Sequence, residues 1–129
     1  MVIDTSAVLA ILFGEPEAKV FAHAIAKDPK RLISAFSVLE AGVVLMARKG
    51  EAATRELDLL LHTAHMTVVT FDPDQAALAR SAYEKWGKGR HPAGLNLGDC
   101  CSYALAQTSG EPLLFKGNDF SRTDMDSVV

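Results

Sequence analysis

Four acidic residues stand at comparable points along this chain. Asp4 ends the apolar run Met1-Val2-Ile3. Glu40 falls in the first helical turn after Leu32-Ile33-Ser34, Asp99 stands where a helical pattern opens, and Asp119 comes just after Pro112-Leu113-Leu114-Phe115. Neighbouring strands would carry all of these acids to one edge of a sheet. Carboxylates gathered in this way repel one another, and a hard divalent cation relieves the repulsion by taking oxygen ligands. Magnesium or manganese suits such a set. An ion held there lowers the pKa of bound water and stabilises the charge that develops on a phosphodiester during in-line attack.

Each acid also has a role that requires no ligand. Asp4 or Thr5 can cap the following helix, and Ser37-Val38-Leu39-Glu40 matches a capping box. Asp99 in a first turn suits the helix dipole, and Asn118-Asp119 suits a turn. These readings weaken when the acids are taken together, because an acid follows three strand signals and another opens a helix nearby.

The elements that must position the acids are visible as alternating strand and helix signals. Met1 to Ser6 reads as a central strand ending in Asp4, and the apolar run from Ser6 to Phe13 reads as a buried helix stopped by Gly14. Pro16 opens a second helix with Ala18, Phe21, Ala22 and Ile25 on one face. Leu32-Ile33-Ser34 is a second strand, and a helix starting at Ser37 carries Leu39, Val43 and Met46 on a stripe, with Gly50 as its stop. The helical stretch from 51 to 65 has the cleanest amphipathic face, Ala53, Leu57, Leu60, Leu61 and Ala64, a stripe larger than a small sheet needs to cover and so expected, with neighbouring apolar faces, to contribute to a homodimer. Met66 to Phe71 is a third strand by its β-branched content, and Asp72-Pro73-Asp74-Gln75 caps a helix that presents Ala79, Ala82, Tyr83 and Trp86 inward. A loop from Gly87 to Gly98 follows, and Asn96 or Gly98 starts the helix of Asp99, Cys101, Ala104 and Leu105. Pro112 to Phe115 makes a fourth strand, and Val128-Val129 suggests a short fifth. Such alternation implies right-handed crossovers. The expected fold is a single three-layer α/β domain over residues 1–129, with a mainly parallel four- to five-stranded sheet between helices.

Composition narrows the class. A chain of 129 residues, 49% of them apolar, can bury about two-thirds of its unfolded surface in one core. The formal charge of −3 offers no overall attraction for a polyanion, so a nucleic acid would need a local basic patch or metal ions. The two cysteines, Cys100 and Cys101, are adjacent and lack zinc-site spacing, which points to buried thiols in a reducing compartment. With no signal-peptide pattern and no uncharged apolar run of the roughly 18 residues a membrane helix needs, a cytoplasmic protein with no membrane partner is expected. The best basic feature is Lys85-Trp86-Gly87-Lys88-Gly89-Arg90-His91. Lys88 and Arg90 are candidates to hold RNA phosphates, whereas helical spacing assigns Trp86 to the core.

Across essentially its whole length the sequence resembles the PIN-domain ribonucleases, above all the VapC toxins of toxin–antitoxin pairs. The resemblance rests on Val2-Ile3-Asp4-Thr5-Ser6-Ala7, on Glu40 within Ser37 to Ala41, on Asn96-Leu97-Gly98-Asp99-Cys100 and on Lys116-Gly117-Asn118-Asp119-Phe120, in that order. It implies metal-dependent endonucleolytic cleavage of RNA, with Asp4 and Asp99 as principal metal ligands and Glu40 and Asp119 completing the catalytic site. It further implies Thr5, Ser6 and Asn118 as supporting polar groups, homodimerisation, and neutralisation by a co-encoded antitoxin. Two other readings compete. An aspartyl phosphotransfer domain of the receiver type also collects acids at strand ends. The haloacid-dehalogenase pattern would want a second acid where Ser6 stands. A non-catalytic interaction module would use the acids only as caps.

Overall fold

The computed structural model describes residues 1–129. Strand β1 (Val2–Ile3) runs into helix α1 (Thr5–Leu12), followed by α2 (Ala18–Lys27), β2 (Leu32–Ser34), α3 (Ala35–Lys49) and, after a 3₁₀ turn, α4 (Thr54–Thr63). Then come β3 (Thr67–Val69), α5 (Pro73–Trp86), α6 (Leu97–Ser109) and β4 (Leu113–Leu114). The sheet order is β3-β2-β1-β4, with every pair parallel; Val2 stands opposite both Leu32 and Leu113. No helix is long and apolar enough to cross a membrane.

Alternate strand residues feed two cores. Ile3, Ile33 and Leu114 join Ala7, Val8, Phe21, Ala41, Leu45 and Leu57, so α1 to α4 cover one face of the sheet. Val2 and Leu113 join Ala79, Ala82, Leu95, Cys100, Ala104 and Leu105, so α5 and α6 cover the other. Burial on both faces explains why these strands read as apolar runs rather than alternations. The three-layer arrangement and the interior place of β1 agree with the sequence reading.

The chain adds β2 and then β3 on one side of β1 but returns to place β4 on the other. The order therefore reverses between β1 and β4, and in open parallel sheets the crevice beyond the strand ends at such a reversal is where ligands bind. Asp4 follows β1 directly, and Asp119 follows β4.

Several local expectations are corrected. Helix α3 begins at Ala35, because Ser34 is the N-cap and its hydroxyl accepts from Phe36 N at 3.2 Å. The capping box read at Ser37 to Glu40 is therefore absent, and Glu40 lies beyond the first turn. The face α3 buries is Ser37, Ala41 and Leu45, while Leu39, Val43 and Met46 remain exposed. A helix so rich in apolar residues satisfies the helical period on two faces, and the smaller Ser37 and Ala41 are the ones that permit close packing. Ala22 and Tyr83, expected inward, are also exposed. Gln75 does not reach back to its cap; its amide donates to Thr70 O at 3.0 Å. The fifth strand is reduced to a single bridge between Leu113 and Ser127. The stripe on α4 is used within the chain: Ala53 and Leu57 are buried, and Leu60, Leu61 and Ala64 pack on the first core.

Candidate active site

Asp4 is 2% exposed and caps α1, the dual position its sequence context suggested. Its Oδ2 accepts from Ser6 N at 3.0 Å and from Ser6 Oγ at 2.6 Å. Its Oδ1 accepts from Ser102 Oγ at 2.5 Å. Ser6 Oγ also accepts from the backbone N of Lys116 at 2.9 Å, which ties the start of α1 to the segment leading from β4 to Asp119. Thr5 is buried beside Asp4 and its hydroxyl has no partner.

Asp99 enters from α6. Asn96 caps that helix by accepting from Asp99 N at 2.9 Å, and the Asp99 carboxylate accepts from Asn96 N at 3.0 Å, which completes a capping box. Capping therefore fixes the Asp99 carboxylate at the start of α6 without exhausting its oxygens. Burial pushes the Asp99 pKa up to about 7, against the lowering effect of the Asn96 N–H, and the charges of Asp4 and Asp119 push in the same direction as burial. The acids from β1, from α6 and from beyond β4 thus share one electrostatic neighbourhood.

Glu40 closes the set from α3. Its carboxylate lies against Gly98 in the first turn of α6, where a Cβ on residue 98 would fall 2.7 Å from the Glu40 carboxyl carbon. Only a glycine lets the two helices bring Glu40 to this point. The charges of Glu40 and Asp4 also reach Cys101, whose thiol is pushed up to about 12, chiefly by burial. Cys100 is pushed up to about 11. Both cysteines are free, buried and held as thiols, as expected, and neither has the character of a nucleophile.

The cation nearest in sequence does not neutralise the cluster. The Lys116 ammonium pairs instead with Glu15 and, at 3.2 Å, with Glu17. As they stand, no three acidic, histidine or cysteine side chains form a complete metal-holding set. The donor chemistry nevertheless fits a hard divalent cation: the groups are oxygen donors, and the Asp99 carboxyl is raised chiefly by burial and further by the charges of Asp4 and Asp119, which a cation would offset.

The other expected site residues lie at the margins. Asn118 is exposed, and its carbonyl accepts from Ser121 Oγ at 2.6 Å. Lys88 lines a groove with Asn96 and Leu97 at the start of α6. Arg90 is exposed, and its Nε donates to Glu84 O at 3.1 Å. Neither basic residue touches the acids. Trp86 packs on the second core, with Lys85 4.8 Å over its ring. Ser102 escaped the sequence reading. A lone hydroxyl three residues after Asp99, on a helix face otherwise made of Cys101, Ala104 and Leu105, was the signal available.

Acids gathered at the reversal point of a parallel sheet define a class, and comparison with known proteins places the chain within it. The PIN domain profile matches residues 1–125. A ribonuclease VapC from Mycolicibacterium smegmatis is 56% identical over 128 residues, covering 99% of each chain. Ribonuclease VapC30 from Mycobacterium tuberculosis is 56% identical over 129 residues, covering 100% of this chain and 98% of the relative. Among solved structures, VapC20 of Mycobacterium tuberculosis, a sarcin-ricin loop cleaving toxin, superposes with a TM-score of 0.78 at 18% identity, over 96% of this chain and 95% of the other. A toxin–antitoxin complex from Klebsiella pneumoniae gives 0.72 at 21% identity, over 95% and 92%. The chain belongs to the PIN-domain family and, within it, to the VapC ribonucleases.

Proposed function

We propose that residues 1–129 act as one magnesium- or manganese-dependent endoribonuclease unit, the toxin of a cytoplasmic toxin–antitoxin pair. The observation that carries this reading is the meeting of Asp4, Asp99 and Asp119 at the reversal point of the sheet, with Asp99 raised to about 7 by burial and by its two acidic neighbours. Asp4 and Asp99 would be the principal metal ligands, with Glu40 and Asp119 in support. When bound, a divalent cation there supplies charge neutralisation and an activated water for attack on a phosphodiester. Around it, the protein's own groups set the geometry. Ser6 and the α1 cap hold Asp4, the Asn96 box holds Asp99, and Gly98 admits Glu40. Thr5 offers an unpartnered hydroxyl at the same edge, and Asn118 stands beside Asp119. Lys88 and Arg90 would grip RNA phosphates outside the acidic crevice, where positive charge does not compete with the metal.

The antitoxin would enter the same crevice with a basic side chain, since a guanidinium fork matches paired carboxylates. Homodimerisation would use the exposed row Leu39, Val43 and Met46 of α3, because the α4 stripe is already consumed by the first core. The deciding experiment incubates the purified chain, free of antitoxin, with total cellular RNA plus magnesium or manganese and maps the new ends. Metal-dependent internal cuts that Asp4→Asn and Asp99→Asn both abolish are expected. Cleavage at the parent rate by both variants refutes the assignment.

A further inference from the structure

The Asp4 carboxylate is held at both oxygens by hydroxyl groups. One of them, Ser6, is two residues away and would meet Asp4 at any helix start of this kind. The other is of a different kind. Ser102 lies 98 positions further along the chain, is fully buried on α6, and donates to Asp4 Oδ1 at 2.5 Å. Ser102 has a single proton, and it is committed to Asp4. The Ser37 hydroxyl, also fully buried, stands 3.3 Å from Ser102 Oγ, so Ser37 must be the donor in that second contact. A directed chain therefore runs from Ser37 on α3, through Ser102 on α6, to Asp4 after β1. Alanine would fit either helix at least as well and would bury no polar group. The hydroxyls therefore have a use only through what they do to Asp4.

We propose that Ser102 is a positioning residue for Asp4, itself oriented by Ser37. Resting on the reading of Asp4 as a metal ligand, this assigns the pair a share in cation affinity: Ser102 occupies one lone-pair direction of Oδ1 and Ser6 holds Oδ2, so the remaining directions are presented at a fixed angle. Groups that hydrogen-bond metal-ligating carboxylates orient them, and their loss typically weakens metal binding by about tenfold or more.

The test titrates manganese alone into the full-length, metal-free chain by calorimetry, using the parent, Ser102→Ala, Ser37→Ala and the double variant, with melting in chelator alongside. Ser102→Ala should weaken manganese binding about tenfold. Ser37→Ala should weaken it by a smaller factor in the parent background and not at all in the Ser102→Ala background, because its effect passes through Ser102. A purely structural pair would lower the melting temperature and leave manganese affinity unchanged. Affinity within twofold of the parent for Ser102→Ala overturns the proposal, as does an equal Ser37→Ala effect in both backgrounds. Should Ser102→Ala not fold, Ser37→Ala decides alone, and parental affinity in that variant overturns the relay. Absence of manganese uptake by the parent would instead strike down the ligand reading of Asp4 and the relay with it, before any serine is changed.

Discussion

Asp99→Asn is expected to make the metal-free protein more stable at pH 8 while destroying its activity. The Asp99 carboxyl is raised from 3.8 to about 7, with burial the largest cause and Asp4 and Asp119 adding to it. Between those values the folded chain binds a proton that the unfolded chain does not. The favourable contribution is thus complete below about pH 4, declines as pH rises, and is gone above about pH 7. Three units correspond to about 4 kcal/mol as an upper bound. The side chain is only half-buried, so solvent screening brings this to about 1–2 kcal/mol. Asparagine cannot ionise, and its amide oxygen can still accept from Asn96 N. Its advantage over the parent should therefore grow from near zero at pH 4 to about 1–2 kcal/mol at pH 8, or about 4–8 °C in melting temperature for a chain of this size. Comparing variant with parent at each pH cancels the other titrating groups. Melting in chelator at pH 4 and pH 8 measures it. Manganese at a hundred times its Kd should then stabilise the parent by about 2.7 kcal/mol and the variant much less. A variant that melts below the parent at pH 8, or whose advantage is the same at both pH values, refutes the reasoning.

Gly98→Ala should separate stability from activity: helix propensity favours alanine by up to about 1 kcal/mol, yet the new Cβ drives Glu40 from its place, so turnover should fall about tenfold while the melting temperature holds or rises. Parental turnover would remove Glu40 from the site. Replacing Lys88 and Arg90 together with alanine should weaken RNA binding and flatten its salt dependence by about 0.7 logarithmic units per lost contact, leaving turnover at saturating RNA nearly unchanged. An unaltered slope in filter binding would send RNA to another face. Asp119→Asn should do the reverse, lowering turnover with little loss of affinity, as single-turnover kinetics would show. Val43→Glu, placing charge in the exposed row of α3, should convert a dimer to a monomer in light scattering, and a parent already monomeric at micromolar concentration would dismiss the dimer.

The chain's own pattern determined its class. Apolar strands too short to alternate, separated by amphipathic helices, imply a parallel sheet covered on both faces, and the caps at Asp72 and Asn96 and the stop at Gly50 are local chemistry that any context would respect. The positions of Asp4 and Asp99 were legible for the same reason, since each sits at a strand end or helix start that local sequence defines, whereas Glu40 lies beyond the first turn of α3. What tertiary structure decided was how surfaces and distant residues meet. The period of α3 fits both the stripe of Leu39, Val43 and Met46 and the face of Ser37, Ala41 and Leu45, and only packing against the sheet and α6 buried the second. The same packing showed that the α4 stripe was not spare. Whether β4 would lie beside β1 rather than beyond β3 has no local signal, yet that order brings Asp119 towards Asp4. The contact of Ser102 with Asp4 spans 98 positions and depends on a helix crossing, and Gly98 opposite Glu40 depends on the same crossing. Periodicity records which residues are apolar, whereas a hydrogen bond between distant elements exists only once both have been placed.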